Sequence, residues 1–384
     1  MKRLVQVLPH YSPPYVGGME MRARDRAERL ARDGWLVETI TSAGLTYPHT
    51  AREGNLTVRY LRSRELAHTP VIFSLPLALL RIRRDSVLHV ESALAFSPEV
   101  TALVARLRRM PYVLRVALDS AGHTRLRSRL LSWYQSVVLK RVYRYAAAVI
   151  VLTADDIDLV TGKYQVDPAR VRVIPNATTF ALADAPRTRP HEPFRLLFVG
   201  RVDAQKNVQL LLRALRRFID SYRLPVRLEL AGDGEELPAV KQLIADLSLT
   251  DYVHLSGFVT GADLERLYEQ ADALVLTSTR EAFGTVILEA MTKGLPVVAS
   301  DIRCVRTIIA DGTTGFLAGL DEQSFADAFG RLLTQDGLYA KMSRACLEAA
   351  RFYSMDAMIA DYAALYEQIL RTRLAPTDTS RPFS

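Results

Sequence analysis

Two carboxylates and two cations carry the chemical signal in this sequence. Glu281 and Glu289 stand eight positions apart within Arg280–Ser300, which reads Arg-Glu-Ala-Phe-Gly-Thr-Val-Ile-Leu-Glu-Ala-Met-Thr-Lys-Gly-Leu-Pro-Val-Val-Ala-Ser. Gly284-Thr285 opens a run of helix formers through Met291, so the pair brackets a helix start. Were the whole span helical, eight residues would rise roughly 12 Å and turn about 80° beyond two full turns. Both carboxylates can then face one long ligand, with the unpaired N–H groups of the helix N-terminus, which attract phosphate, between them. A sugar, a diphosphate and a ribose in a row fit that arrangement. A surface glutamate followed by a half-buried helix fits the spacing as well.

The cations are Arg201 and Lys206, in Gly200-Arg201-Val202-Asp203-Ala204-Gln205-Lys206-Asn207 after the apolar run Arg195–Val199. Two cations at the C-terminal end of a strand, beside a glycine, can neutralise a diphosphate that leaves with extra negative charge. The bland alternative is a solvated loop. Asp156-Ile157-Asp158 matches the D-x-D that can hold a divalent cation beside a diphosphate, but it opens a predicted helix, where Thr153 and the aspartates serve as N-terminal caps. Capping is the favoured reading. There is no Cys/His cluster for zinc and no G-x-x-x-x-G-K phosphate loop.

The elements that must position these residues alternate between strand and helix. Arg3–Pro9 reads as a first strand, His10–Gly18 as a glycine loop, Glu20–Asp33 as a helix and Leu36–Thr41 as a strand, a Rossmann-type opening. Val87–Val90, Tyr112–Val116, Val149–Leu152 and Val171–Ile174 read as further strands, with helices near Val100–Arg109 and Arg125–Ala146. Asp184–Phe194, with three prolines and no apolar period, reads as a linker. A second series follows: strands at Arg195–Val199, Val226–Leu230 and Ala273–Leu276, a helix at Asn207–Asp220, then the Glu281 segment. Lys293-Gly294 is a predicted left-handed helix cap, and Leu295–Ala299 a buried parallel strand. The expectation is an α/β protein with parallel sheets covered on both faces.

The organising segment resembles the E-x-F-G-x-x-x-x-E-A-M-x-x-G-x-P-V-V-A signature of retaining glycosyltransferase family 4, and nearly every fixed letter is present. The resemblance implies two Rossmann-like domains facing across a cleft, the GT-B architecture, with a last helix crossing back to the first domain. The domains would be 1–185 for the acceptor, 192–354 for the nucleotide-sugar, 355–374 for the returning helix and 375–384 for a frayed tail. It also implies metal-independent, retaining transfer with no cofactor, the donor being a nucleoside-diphosphate sugar. Gly200–Asn207 resembles the family's G-R-x-x-x-x-K-G, so Arg201 and Lys206 would hold the diphosphate. Glu281 would bind sugar hydroxyls and Glu289 ribose hydroxyls. The backbone of Phe283, Gly284 and Thr285 would contact sugar and phosphates, and the Gly257-Phe258-Val259 turn would lie against the base. Pro13, Pro14, Gly17, Gly18 and Glu20 reproduce the family's P-P-x-x-G-G-x-E.

Departures bear on acceptor and donor. Ala117 stands where the family often has a histidine, with Asp119 or His123 as nearby substitutes. The family's later G-G-x-x-E reads Arg303-Cys304-Val305-Arg306-Thr307, and its P-N-G reads Pro175-Asn176-Ala177.

Composition sets the outer bounds. At 384 residues the chain is comfortable for two domains, and 24% charged with 49% apolar residues describes a globular protein, not a disordered one. Only Cys304 and Cys346 occur, which points to a reducing, cytoplasmic setting. Residues 1–190 hold 29 Lys+Arg against 16 Asp+Glu, while residues 191–384 hold 21 against 26. A basic first half suits an anionic membrane surface or a phosphorylated acceptor; solvated arginine-rich helix faces explain it equally. The segment Arg125–Ala146, with Leu126, Leu130, Trp133 and several arginines, is read as packed on the sheet, with the membrane surface as the alternative. Its aromatics are not interleaved as stacking platforms, which argues against nucleic acid. The functional expectation is hexosyl transfer from a nucleoside-diphosphate sugar, with uridine as the base, to a glycan, lipid-linked or small-metabolite hydroxyl. The alternatives are a nucleotide-sugar-binding protein without transfer and a nucleotide-sugar epimerase.

Overall fold

The computed structural model describes residues 2–12, 18–44, 47–66, 69–91, 96–116 and 134–374. The chain forms two compact units, Met1–Asn176 with Asp356–Ser384, and Ala177–Met355.

The first unit carries strands β1 (Arg3–Val7), β2 (Leu36–Ser42), β3 (His49–Glu53), β4 (Leu56–Leu61), β5 (Arg64–Leu66), β6 (Thr69–Val71), β7 (Val87–Glu91), β8 (Tyr112–Arg115), β9 (Ala148–Val151) and β10 (Val171–Val173). Its helices are α1 (Gly18–Arg32), α2 (Leu75–Leu80), α3 (Ser97–Arg108), α4 (Lys140–Arg144) and α5 (Asp156–Tyr164). Eight strands pair in the order β10-β9-β8-β7-β1-β2-β4-β3, all parallel except the β3–β4 pair; β5 and β6 form a separate antiparallel ribbon. The central strands are buried along their whole length, β7 and β8 at every position, which is why they read as unbroken apolar runs. Pro98 sits in the first turn of α3, where its missing N–H costs nothing, and Arg109 closes that helix in the left-handed region at φ 54°.

The second unit carries β11 (Phe194–Val199), β12 (Val226–Ala231), β13 (Val253–Gly257), β14 (Ala273–Leu276), β15 (Val297–Ser300) and β16 (Gly315–Ala318). Its helices are α6 (Val208–Tyr222), α7 (Leu237–Asp246), α8 (Gly261–Gln270), α9 (Thr285–Thr292), α10 (Arg303–Arg306), α11 (Glu322–Thr334) and α12 (Leu338–Ala350). The six strands are wholly parallel in the order β13-β12-β11-β14-β15-β16. This is the doubly wound order, and its switch point lies between β11 and β14, where ligands bind beyond the carboxyl ends of the strands. In α6, Val208, Leu211, Leu212, Leu215 and Phe218 fall at helical spacing and are fully buried in the core. The last helix, α13 (Met355–Leu374), belongs to the first unit, where Tyr366 packs edge-on against Trp35.

Three segments differ in detail from the sequence reading. The proline-rich stretch 184–194 is tied down within the second unit. Arg187 donates to the carbonyls of Ala271 (2.6 Å), Glu269 (2.7 Å), Lys293 (3.1 Å) and Tyr268 (3.2 Å), and the His191 ring meets buried Asp272 at 2.7 Å. The division between units falls upstream, at Asn176–Ala177. The helix expected over 125–146 is continuous through its described part, 134–144, and winds as a π-helix over Gln135–Leu139 before α4. Residues 42–86 hold five elements absent from the sequence reading; β3 is exposed at every position of the sheet edge, while β4 alternates between buried and half-buried positions.

Candidate functional site

Lys206 and Glu281 meet at the switch point of the second sheet. Strands β11 and β14 are paired neighbours, with Leu196 beside Ala273 and Leu197 beside Leu274, so the loops after them emerge side by side. These loops are stitched together by hydrogen bonds. The Gln205 carbonyl accepts from the Thr279 amide (2.8 Å), the Lys206 carbonyl from the Thr277 hydroxyl (3.0 Å), and Gln205 Nε2 donates to the Arg280 carbonyl (3.0 Å). Lys206 thereby lands on Glu281, forming an ion pair between its Nζ and Oε1 in which both side chains are nearly buried. Ser278 Oγ donates to the same Oε1 at 2.7 Å.

Arg201 differs in kind. Its side chain is 72% exposed and meets Asp203 at 3.0 Å, so it projects from the loop toward solvent. The turn is built for close backbone approach. A Cβ on Gly232 would stand 1.8 Å from the Gly200 carbonyl oxygen, and one on Gly234 2.3 Å from that of Val202. Two backbone hydrogen bonds, from the Gly200 amide to the Ala231 carbonyl (3.1 Å) and from the Val202 amide to the Asp233 carbonyl (2.9 Å), close the contact. Asn207 replaces the glycine of the expected signature at φ 50°, a left-handed conformation that asparagine tolerates better than most residues.

Helix α9 begins where expected. Gly284 is its N-cap at φ 79°, and Thr285 is its first residue. Phe283 is buried and packs edge-on against Tyr353. Glu289, one turn further on, accepts a 2.7 Å hydrogen bond from the Tyr268 hydroxyl. Burial, then the Glu289 charge, push the Tyr268 phenol well above its ordinary value, so it remains a donor. Glu281 lies in the loop ahead of α9 and Glu289 within it; the two carboxylates are held by different partners, on either side of the helix start. Gly294 ends the turn after α9 at φ 65°, and a Cβ there would meet Ser343 Oγ at 2.7 Å. In the Gly257-Phe258-Val259 turn, Gly257 has φ 68°, Phe258 is exposed and Val259 half-buried.

Pro13, Pro14, Gly17, Ala117, Asp119, His123 and the tail 375–384 lie outside the described residues, and Gly18 is the first residue of α1. The D-x-D aspartates do not cap as expected. Asp156 accepts from Thr153 Oγ1 at 2.8 Å, and the N-cap residue is Asp155, whose side chain makes no capping bond. Among the described residues no group of three or more His, Cys, Asp or Glu is arranged to hold a metal. Sequence reasoning passed over Ser278, Tyr268, Gln205 and Cys304, whose thiol donates to the Glu281 carbonyl at 3.1 Å. A buried tyrosine or a serine after a strand carries no pattern of its own. The glycines at 232 and 234 were visible in Ala231–Gly234 but had no partner until the fold brought Gly200 against them.

The glycosyl transferases group 1 profile matches residues 182–351, and the glycosyl transferase 4-like domain matches residues 17–177. The alpha-D-kanosaminyltransferase of Streptomyces kanamyceticus is 30% identical over 75% of this chain and 79% of its own length. This chain belongs to the family 4-like glycosyltransferases. A D-inositol 3-phosphate glycosyltransferase of Salinispora tropica is 33% identical over 56% of this chain and half of its own length. Solved GT-B structures share the fold. Sucrose-phosphate synthase from Thermosynechococcus elongatus aligns with a TM-score of 0.75 at 19% identity, covering 97% of this chain and all of that one. HepE from Anabaena, in complex with UDP, aligns with a TM-score of 0.75 at 18% identity over 96% of this chain and all of its own.

Proposed function

We propose that this glycosyltransferase moves a hexosyl unit from a uridine diphosphate sugar to a hydroxyl of a glycan, lipid-linked or small-metabolite acceptor, with retention and without a metal. The observation that carries the reading is the Lys206–Glu281 pair at the carboxyl edge of β11 and β14. A cation held there meets the diphosphate, and a carboxylate held there meets sugar hydroxyls. Arg201, exposed on the same loop, adds a second charge to the leaving group. The bond from the anomeric carbon to the diphosphate oxygen breaks as the acceptor oxygen bonds to the same face of that carbon. The acceptor proton passes to the departing diphosphate, so no side-chain base is required. Lys206 and Arg201 stabilise charge that grows as the bond breaks, which lowers the barrier more than it tightens ground-state binding. Glu289, positioned by the buried Tyr268 hydroxyl, holds the ribose hydroxyls. Uridine is favoured because HepE was solved with UDP and with UDP-glucose.

The test is thermal unfolding with UDP, GDP, ADP and TDP, without metal and then with magnesium, followed by product analysis with a matched sugar nucleotide. Ligand at about 100 times its Kd raises stability by about 2.7 kcal/mol. The expected result is stabilisation by UDP alone, unaffected by chelator, and an α-linked product from an α-linked donor. Stabilisation only with magnesium would overturn metal independence. Binding without transfer would make this a nucleotide-sugar-binding protein, and donor conversion without acceptor an epimerase.

A further inference from the structure

The large exposed apolar side chains of the described chain are not scattered evenly. Leu77 and Leu80 stand out from α2, and Leu103 and Leu107, 60% and 70% exposed, from the outer face of α3. Both helices bury their opposite faces: Leu75, Ala78 and Leu79 on α2, and Val104 and Ala105 on α3, enter one core. The C-terminal turns of the two helices are joined, because Arg108 Nη1 donates to the carbonyls of Leu79 (3.0 Å) and Ile82. Leu80 and Leu107, each one residue from a partner in these bonds, therefore flank one junction, with Leu77 and Leu103 about one turn earlier on their helices. Arg81, Arg106 and Arg109 are exposed among them, and the Arg106 guanidinium lies 4.5 Å from the ring centre of half-exposed Tyr145, at the end of α4. Across α2, α3 and α4 the sole acid is Glu99, in the first turn of α3 and bonded to Tyr134.

From this surface we infer that the first unit docks on an anionic lipid bilayer through α2 and the C-terminal half of α3. Leucines flanked by arginines, on helices too short to cross a membrane, are the arrangement that seats apolar groups at the acyl boundary while the cations meet lipid phosphates. The leucines project from convex helix faces, and lipid needs no complementary groove to receive them. A second copy of this chain is disfavoured, since two such faces would bring arginine against arginine with hardly an acid between them. Nucleic acid would use the arginines and leave four leucines in water. The surface differs from the segment 125–146 that the sequence singled out for membranes. It rests on α2 and α3, and it is independent of which nucleotide or sugar the second unit binds.

The experiment is vesicle flotation of the full chain with phosphatidylcholine alone and with phosphatidylcholine containing phosphatidylglycerol, at low and high salt. Flotation should occur with the anionic vesicles, fall with salt, and be near zero with the neutral ones. Leu103→Ser/Leu107→Ser should cut it at least fivefold at either salt, while Arg106→Gln/Arg109→Gln should leave weak, salt-insensitive flotation. Folding of each variant is checked by thermal unfolding. As a second readout, Leu107→Trp should be quenched by brominated anionic lipid and Leu320→Trp, exposed on the second unit, should not. Absence of flotation with anionic vesicles, or undiminished flotation of both double variants, overturns the inference. So does self-association that the leucine variant abolishes without any lipid binding, which would assign the face to a second copy.

Discussion

Lys206 and Glu281 lie 75 residues apart in the chain, yet they form one nearly buried ion pair where the loops after β11 and β14 are sewn together. The pair satisfies both charges, so on the proposed reading donor binding would repartition them, Lys206 toward phosphate and Glu281 toward sugar.

Replacing Lys206 by Ala is expected to lower kcat by roughly 10²–10³ with a smaller effect on KM, as loss of a group that acts mainly in the transition state does. Glu281 would then keep only its Ser278 hydrogen bond, and the fold should lose about 1–3 kcal/mol. Lys206→Ala with near-normal turnover would remove Lys206 from the leaving-group site.

Glu289 is tested through binding. Exchange for Ala removes a charge-assisted acceptor worth about 1.5–3 kcal/mol, so KM for the sugar nucleotide should rise about 10–100-fold with kcat little changed. Tyr268→Phe, which frees the carboxylate from its phenol donor, should show a smaller rise. A 2′-deoxy donor separates a ribose contact from a structural effect. It should bind poorly to the wild type and lose nothing further in Glu289→Ala. Equal additional losses in both backgrounds would count against ribose recognition.

Much of this site was readable beforehand because its signals are local. The α9 start at Gly284-Thr285, the left-handed Gly294 and the strand ahead of Gly200 each follow from backbone rules within a few residues. What the sequence could not display is contact between distant loops: Tyr268 reaching Glu289, Ser278 and Lys206 sharing one carboxylate oxygen, Cys304 against the Glu281 carbonyl. The proline-rich 184–194 misled for a related reason. Composition resembles a free linker, and only the fold shows Arg187 bonded to four carbonyls. The edge strand β3 gives no apolar alternation because all its residues are exposed, and β5 and β6 are only three residues each, whereas the alternation Leu56, Val58, Tyr60 of β4 was legible and was missed.

Gly232 and Gly234 offer a test of the phosphate turn itself. Gly232→Ala would put a methyl group 1.8 Å from a backbone oxygen that cannot rotate away. The turn must open, at a cost of about 1–3 kcal/mol or more, and activity should fall because Arg201 adjoins the displaced Gly200. Gly162→Ala, in α5 with open space around it, should instead stabilise by about 0.5–1 kcal/mol. Comparable melting temperatures for the two variants would show that the close approach is not maintained in solution.

The buried charge cluster of the first unit predicts how stability responds to acid. His89 on β7 is enclosed by Arg26 of α1, Glu91 of its own strand, Arg115 of β8, and Tyr362 and Tyr366 of α13; Tyr366 bonds its Nδ1 at 2.9 Å and Glu91 lies 3.3 Å from its Nε2. Burial first, then the Arg26 charge, push the imidazole down to about 4, against the partial opposition of Glu91. The unfolded chain, with an ordinary histidine near 6.5, takes up a proton as pH falls through that value, while the folded chain resists until about 4. Stability is therefore lost progressively as pH drops from about 6.5 to 4, by a total on the order of 3 kcal/mol. Glu91 acts in a lower window. Burial raises its affinity for a proton, but Arg115, His89 and Arg26 outweigh that and hold it well below the usual carboxylate range. Its contribution is present above the unfolded carboxylate value and vanishes as pH falls through the folded one. Thermal unfolding of wild type and His89→Gln at steps between pH 7 and 4.5 isolates the histidine. The wild type should lose stability steeply across the range and the variant less so, and parallel curves would show that His89 titrates alike in both states.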